Sequence, residues 1–165
     1  MQLDIGFSDE ILSKAEFVDY PGLLSDEKSI RVKGYPKESV ISEKFHAMIY
    51  RAELNSRWKD YYDIWLISET FAFESSSVQK AIETTFKKRK TELPKERPVG
   101  LTAEFALEHA TQWNNFLKKM NLNNKGVSDF VNIVEKIWMF LEYPIQAPMD
   151  KSKPKCLWTP QKGWK

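Results

Sequence analysis

The chain has almost no cysteine, no ordered run of glycine, no long apolar stretch and no excess of either charge. Cys156 is its one cysteine among 165 residues, so no disulfide can form within it. That fits a reducing compartment, and a cytoplasmic location is expected. No apolar run approaches the ~20 residues that a membrane helix needs. No basic stretch leads into an apolar one at the N-terminus, so a secretory signal is not expected. The six glycines are scattered, and neither a Walker loop nor a dinucleotide fingerprint runs through them. His46 and His109 stand apart, without the spacing of metal ligands, and no serine sits in a nucleophile elbow. A formal charge of +2 is nearly neutral and by itself does not argue for nucleic acid.

What the chain does have is apolar and aromatic residues, 42% and 13% of the sequence, enough for a folded core. At this length roughly two thirds of the unfolded surface can be buried. One domain is expected over residues 1–143. A proline- and lysine-rich tail follows over 144–165, with prolines at 144, 148, 154 and 160. That tail reads as extended or poorly ordered chain.

The fold class expected is α+β and mostly helical, with a small N-terminal β element and about five helices. Leu3, Ile5 and Phe7 alternate with Asp4 and Gly6, the period of a strand. Phe17-Val18 and Ser29 to Gly34 read as two further strands, with a turn at Pro21-Gly22. A first helix should start near Pro36 and carry Val40, Ile41, Phe45, Met48 and Ile49. A second should run from Arg57 to about Phe71 with Ser56 as cap. A third, capped within Ser75 to Ser77, should end in the basic run Lys87-Lys88-Arg89-Lys90. That run fits a helix end, with contact to nucleic acid as the other use. Thr102 should cap a fourth helix reaching Met120, and a fifth should carry Val127 to Leu141.

Between Tyr35 and Ile67 charges interrupt two apolar helical patterns: Glu43, Lys44, Arg57, Lys59, Asp60 and Asp63. Charges that cannot all reach water must pair with one another or face a ligand. Asp60 and Asp63 share a helix face, and Lys59 can also meet Asp63. Two readings stay open on the residues alone. Acids in a first helical turn complement the helix dipole, whereas lysines beside them can hold phosphate oxygens. Asp4 is likewise either a solvent-facing strand residue or a carboxylate of a phosphoryl-transfer metal site.

LDIGF, followed after a gap by YPKESVISEKFHAMIYRAELNSRWKDYYDIWLI, resembles the AbiEii/AbiGii-type toxin family of the nucleotidyltransferase superfamily. The motifs that carry the likeness are an apolar-Asp-apolar-Gly strand, a YPxExxxAEK segment with Ser42 in place of the usual alanine, and an SRxKDxxD helix. Together they run over about residues 1 to 90. The resemblance implies the toxin component of a bacterial toxin–antitoxin or abortive-infection system. Its chemistry would be Mg²⁺-dependent transfer of a nucleotide from a nucleoside triphosphate to an acceptor, which in some members is tRNA. An antitoxin protein would be a partner. By position, Lys44 and Asp60 would be catalytic. Lys44, Arg57, Lys59 and Asp63 would bind the nucleotide, and Asp4 would be a metal carboxylate.

Family members also carry an earlier Gly-Ser turn and an Asp-x-Asp strand, and this sequence starts at the strand that follows. The expectation is therefore the C-terminal half of the family, a partial nucleotidyltransferase-like fold. It should be inactive alone, hold Mg²⁺ poorly, and need the N-terminal half in trans. A non-catalytic helical interaction module or remnant is the alternative. Strand edges without neighbours also point to a homodimer.

Overall fold

A computed structural model describes residues 16–20, 29–51, 57–122, 127, 129–146 and 156–165. The expected strand at Leu3 to Phe7, the Pro21-Gly22 turn and the Ser56 cap lie outside these residues. The fold is α+β and mostly helical. Two strands, β1 (Glu16–Tyr20) and β2 (Ile30–Gly34), pair antiparallel with Val18 opposite Val32. Then come α1 (Lys37–Arg51), α2 (Trp58–Thr70), the short strand β3 (Phe73–Glu74) and α3 (Ser75–Lys88). A short 3-10 turn, Val99–Leu101, leads into α4 (Ala103–Glu108), α5 (Ala110–Lys119) and α6 (Phe130–Gln146). Strands β4 (Leu157–Thr159) and β5 (Gly163–Trp164) close the described chain. No helix among the described residues is long and apolar enough to cross a membrane.

α6 is the axis of the core. Its Phe130, Ile133, Val134, Ile137, Phe140 and Leu141 are all buried. They recur at helical spacing on a broad face. α2, α3 and α4 pack around it, and α1 lies on α3 and α2. Aromatic contacts tie the layers together: Tyr61 of α2 meets the edge of Phe130 at 5.1 Å, and Trp113 of α5 stacks on Phe130 at 4.8 Å. Such pairs add about 0.5–1.5 kcal/mol each beyond the area they bury.

Thr102 caps α4 as expected, its hydroxyl accepting from the Phe105 N–H at 3.2 Å. The single helix expected from Thr102 to Met120 is instead two. His109 takes φ −106° and ψ 12°, closing α4 and opening α5. Its ring lies against Phe105 at 4.2 Å and Trp58 at 5.6 Å, so packing holds the break. The serines expected to cap α3 do not. Glu74 occupies the cap position without a side-chain bond, and Ser75 Oγ accepts from the Cys156 N–H at 3.2 Å.

The largest departure is at the C-terminus. Residues 156–165 do not form a loose tail: β4 pairs with β3, putting Trp158 opposite Phe73, and β5 pairs with β4. Trp158 is buried, and its indole N–H donates to Ser68 O at 2.7 Å. That carbonyl is among the last four of α2, which have no partner within the helix. α6 also continues through Pro144 to Gln146. Proline cannot donate to the carbonyl four residues back. That carbonyl, on Phe140, accepts instead from Trp164 Nε1 at 3.0 Å.

Candidate functional site: a cationic groove at the junction of α1, α2 and α5

Three devices hold α1 in place. Phe45 packs on Phe86 of α3 at 5.6 Å, and Ser42 Oγ meets Thr85 Oγ1 at 2.9 Å. His46 Nε2 meets Thr91 Oγ1 at 2.9 Å. With Ile41, Phe45 and Met48 facing the core, Lys44 is turned toward the start of α2. α2 is fixed in its turn by buried Tyr61, whose hydroxyl lies so close to Gly100 that a Cβ there would stand 2.9 Å from it. Glycine at 100 is thus a spatial requirement, one that sets the first turn of α2 against the 3-10 turn.

This arrangement brings Lys44, Asp60 and Asp63 together. Lys44 Nζ donates to Asp60 Oδ1 at 3.0 Å and lies 2.7 Å from Asp63 Oδ2. Arg57 Nε is 3.3 Å from the other Asp60 oxygen, and Lys59 Nζ is 2.6 Å from Asp63 Oδ2. Asp60 is 4% exposed. A buried carboxylate is tolerated only when paired, and here each oxygen faces a cation. Burial alone would push the Lys44 ammonium down. Hydrogen bonds and charge from Asp63 and Asp60 outweigh it and hold the ammonium above its ordinary value. Lys44 therefore stays charged. Three cations face two carboxylates, so the cluster has positive charge to spare.

The cluster forms one wall of an open groove of about 740 Å³. Lys44, Arg57, Lys59 and Asp60 line it on one side, and Trp58 contributes an aromatic wall. α5 supplies the opposite side through Gln112, Asn115, Phe116 and Lys119. These four recur at the spacing of one helical stripe. A second groove of about 420 Å³ opens on the other flank of Lys44, reaching Tyr35 and Arg89. Arg89, from the basic end of α3, pairs with Glu43 there.

Sequence reasoning did not find the α5 wall. Gln112, Asn115 and Lys119 lie on the exposed face of an amphipathic helix, and nothing in their pattern marks that face as unlike any solvated one. Asp4 lies outside the described residues. Among the described residues no three or more His, Cys, Asp or Glu side chains converge as a metal cage. Asp60 and Asp63 already face cations, so this cluster does not fit Mg²⁺.

The site is thus a lysine and arginine cluster held by buried Asp60 and half-buried Asp63 beside an open groove in a mostly helical domain. A family model described as nucleotidyl transferase AbiEii toxin of type IV toxin–antitoxin systems matches residues 1–143. The chain belongs to that family, and the match extends well past the motifs at 1–90 into α6. No curated protein and no solved structure gives a match.

Proposed function

We propose that this chain forms the phosphate-holding helical part of a nucleotidyltransferase-type toxin, that it is countered by an antitoxin, and that its 165 residues alone do not transfer nucleotide. The observation that carries this reading is Lys44, kept charged between Asp60 and Asp63 on the wall of a cationic groove. Lysines hold phosphate as point charges, and arginine adds a bidentate fork. Lys44, Arg57 and Lys59 would take the oxygens of a nucleoside triphosphate. Asp60, buried and doubly paired, would act as a positioning residue that aims Lys44 and Arg57. Nucleotide transfer depends mainly on positioning and on charge stabilisation, much of it borne by metal. The sequence holds no Asp-x-Asp, and the described cluster offers Mg²⁺ no free carboxylate set.

The test has two arms. Isothermal titration of the purified chain with a nucleoside triphosphate should show binding, and Lys44→Met should weaken it at least about tenfold, as expected for loss of a charged hydrogen bond. Incubation with Mg²⁺, labelled triphosphates and total tRNA should give no transfer. Transfer should appear when a polypeptide carrying the Gly-Ser and Asp-x-Asp segment is added. Robust transfer by the chain alone, abolished by Asp60→Ala, would overturn the inactivity. Absence of any triphosphate binding would favour a non-catalytic interaction module. One observation supports that second reading: every described carboxylate of the cluster is already engaged by a cation.

A further inference from the structure

The groove has two chemically different walls. On the α1–α2 side Lys44, Arg57 and Lys59 are cationic, with Asp60 and Trp58 beside them. On the α5 side, Gln112 and Asn115 are the uncharged polar groups among the described lining residues. They lie three residues apart, on one face with Phe116 and Lys119. Gln112 and Asn115 are exposed, and neither side chain hydrogen-bonds another described residue. Trp58 and Phe116 provide aromatic surface between the walls. Both rings are fixed from behind. Trp58 meets Tyr61 at 6.2 Å and the edge of Phe130 at 5.7 Å, and Phe116 lies 5.4 Å from Trp113.

Of the α5 lining residues only Lys119 suits phosphate; the two carboxamides and the aromatic ring are not needed for it. A carboxamide carries no net charge, yet it presents one donor edge and one acceptor edge side by side. That pairing matches the edge of a nucleobase, where an acceptor sits beside an exocyclic or ring N–H. Rigid aromatic surface is what a base stacks upon. A volume of about 740 Å³ falls within the range of small-molecule and cofactor sites.

We infer that Gln112 and Asn115 are the specificity-determining residues of this groove: they read the base of a nucleoside triphosphate whose phosphates lie on Lys44, Arg57 and Lys59. The base stacks against Trp58 and Phe116. This rests on the phosphate-holding reading of the same groove. It assigns to α5 a task separate from phosphate binding.

The experiment compares the four ribonucleoside triphosphates with inorganic tripolyphosphate, by titration calorimetry on the full chain with Mg²⁺ in the buffer. Tripolyphosphate carries the phosphate contacts and no base. The wild-type chain should bind at least one nucleotide about tenfold or more tighter than the others, as one good base-edge pair provides. Gln112→Ala and Asn115→Ala alter exposed helical positions where alanine is a good helix former, so both variants should fold. In the double variant the four nucleotides should bind alike, while tripolyphosphate binding is unchanged. If base preference survives in the double variant, the assignment to α5 is wrong and the phosphate reading stands. If the wild type binds all four nucleotides no better than tripolyphosphate, the groove does not read the base. If neither nucleotides nor tripolyphosphate bind, both readings fail together.

Discussion

His46 is a titratable residue whose placement exposes a cost of the fold. It is buried on α1, with Nε2 facing Thr91 and the ring edge-on to Phe86 at 5.1 Å. Burial, reinforced by the charge of Arg89, holds its pKa below the ordinary 6.5. The folded protein therefore favours the neutral ring, and the unfolded chain binds the proton more readily. Stability from this site is complete above pH 6.5 and is lost as pH falls through the lower, folded-state value. Urea unfolding at about pH 7.5 and about pH 5 should show lower stability in acid, with a smaller difference in His46→Gln. An unchanged pH dependence in that variant would place the acid sensitivity elsewhere. At this scale the sequence was informative where charge broke an apolar pattern. Lys44, Asp60 and Asp63 stood out for that reason, and they meet in space. His46 did not stand out, because an isolated histidine at an apolar helical position carries no signal of its partner 45 residues on.

At the level of elements, helices α1, α2 and α3 were legible from apolar spacing to within a residue or two. The strand at 30–34 was legible from alternation, and of the strand at 16–20 only Phe17-Val18 was. The ends that depend on distant partners were not. Pro144 reads as a stop, because the carbonyl of Phe140 loses its helical donor. The helix continues because Trp164 supplies a replacement N–H from 24 residues away. Its ring also stacks on Phe140 at 5.6 Å and on Tyr143 at 5.7 Å. Trp164→Phe keeps most of the ring packing and removes the donor. It should cost about 1–3 kcal/mol, the penalty for an orphaned buried carbonyl. Chemical denaturation measures this directly. A loss below a few tenths of a kcal/mol would mean that water or another group takes over. The break at His109 has the same origin: stacking on Phe105 and a tilted contact with Trp58 override a helical pattern that local sequence would continue.

Across the whole molecule, the groove and the C-terminal hairpin sit near opposite ends of α2. Asp60 belongs to its first turn and Ser68 to its last. At 1.5 Å per residue that is about 12 Å along the axis. The hairpin covers Phe73 and Phe140 and donates to two helix carbonyls, whereas the groove is built from α1, the start of α2 and α5. A composition rich in proline and lysine hid this, because the pairing of β4 with β3 spans more than eighty residues and depends on one buried tryptophan. Removing residues 156–165 deletes Trp158 along with both donors. Loss of a buried tryptophan costs about 3–5 kcal/mol, and at this chain length each kcal/mol shifts the melting temperature by roughly 2–4 °C. The truncated chain should melt at least ~6 °C lower. At temperatures below both transitions its tripolyphosphate affinity should match that of the full chain, since among the described residues no groove residue shares a ring contact with the hairpin's tryptophans. Affinity lost in step with stability would instead mean that α6 transmits the state of the hairpin to the first turn of α2.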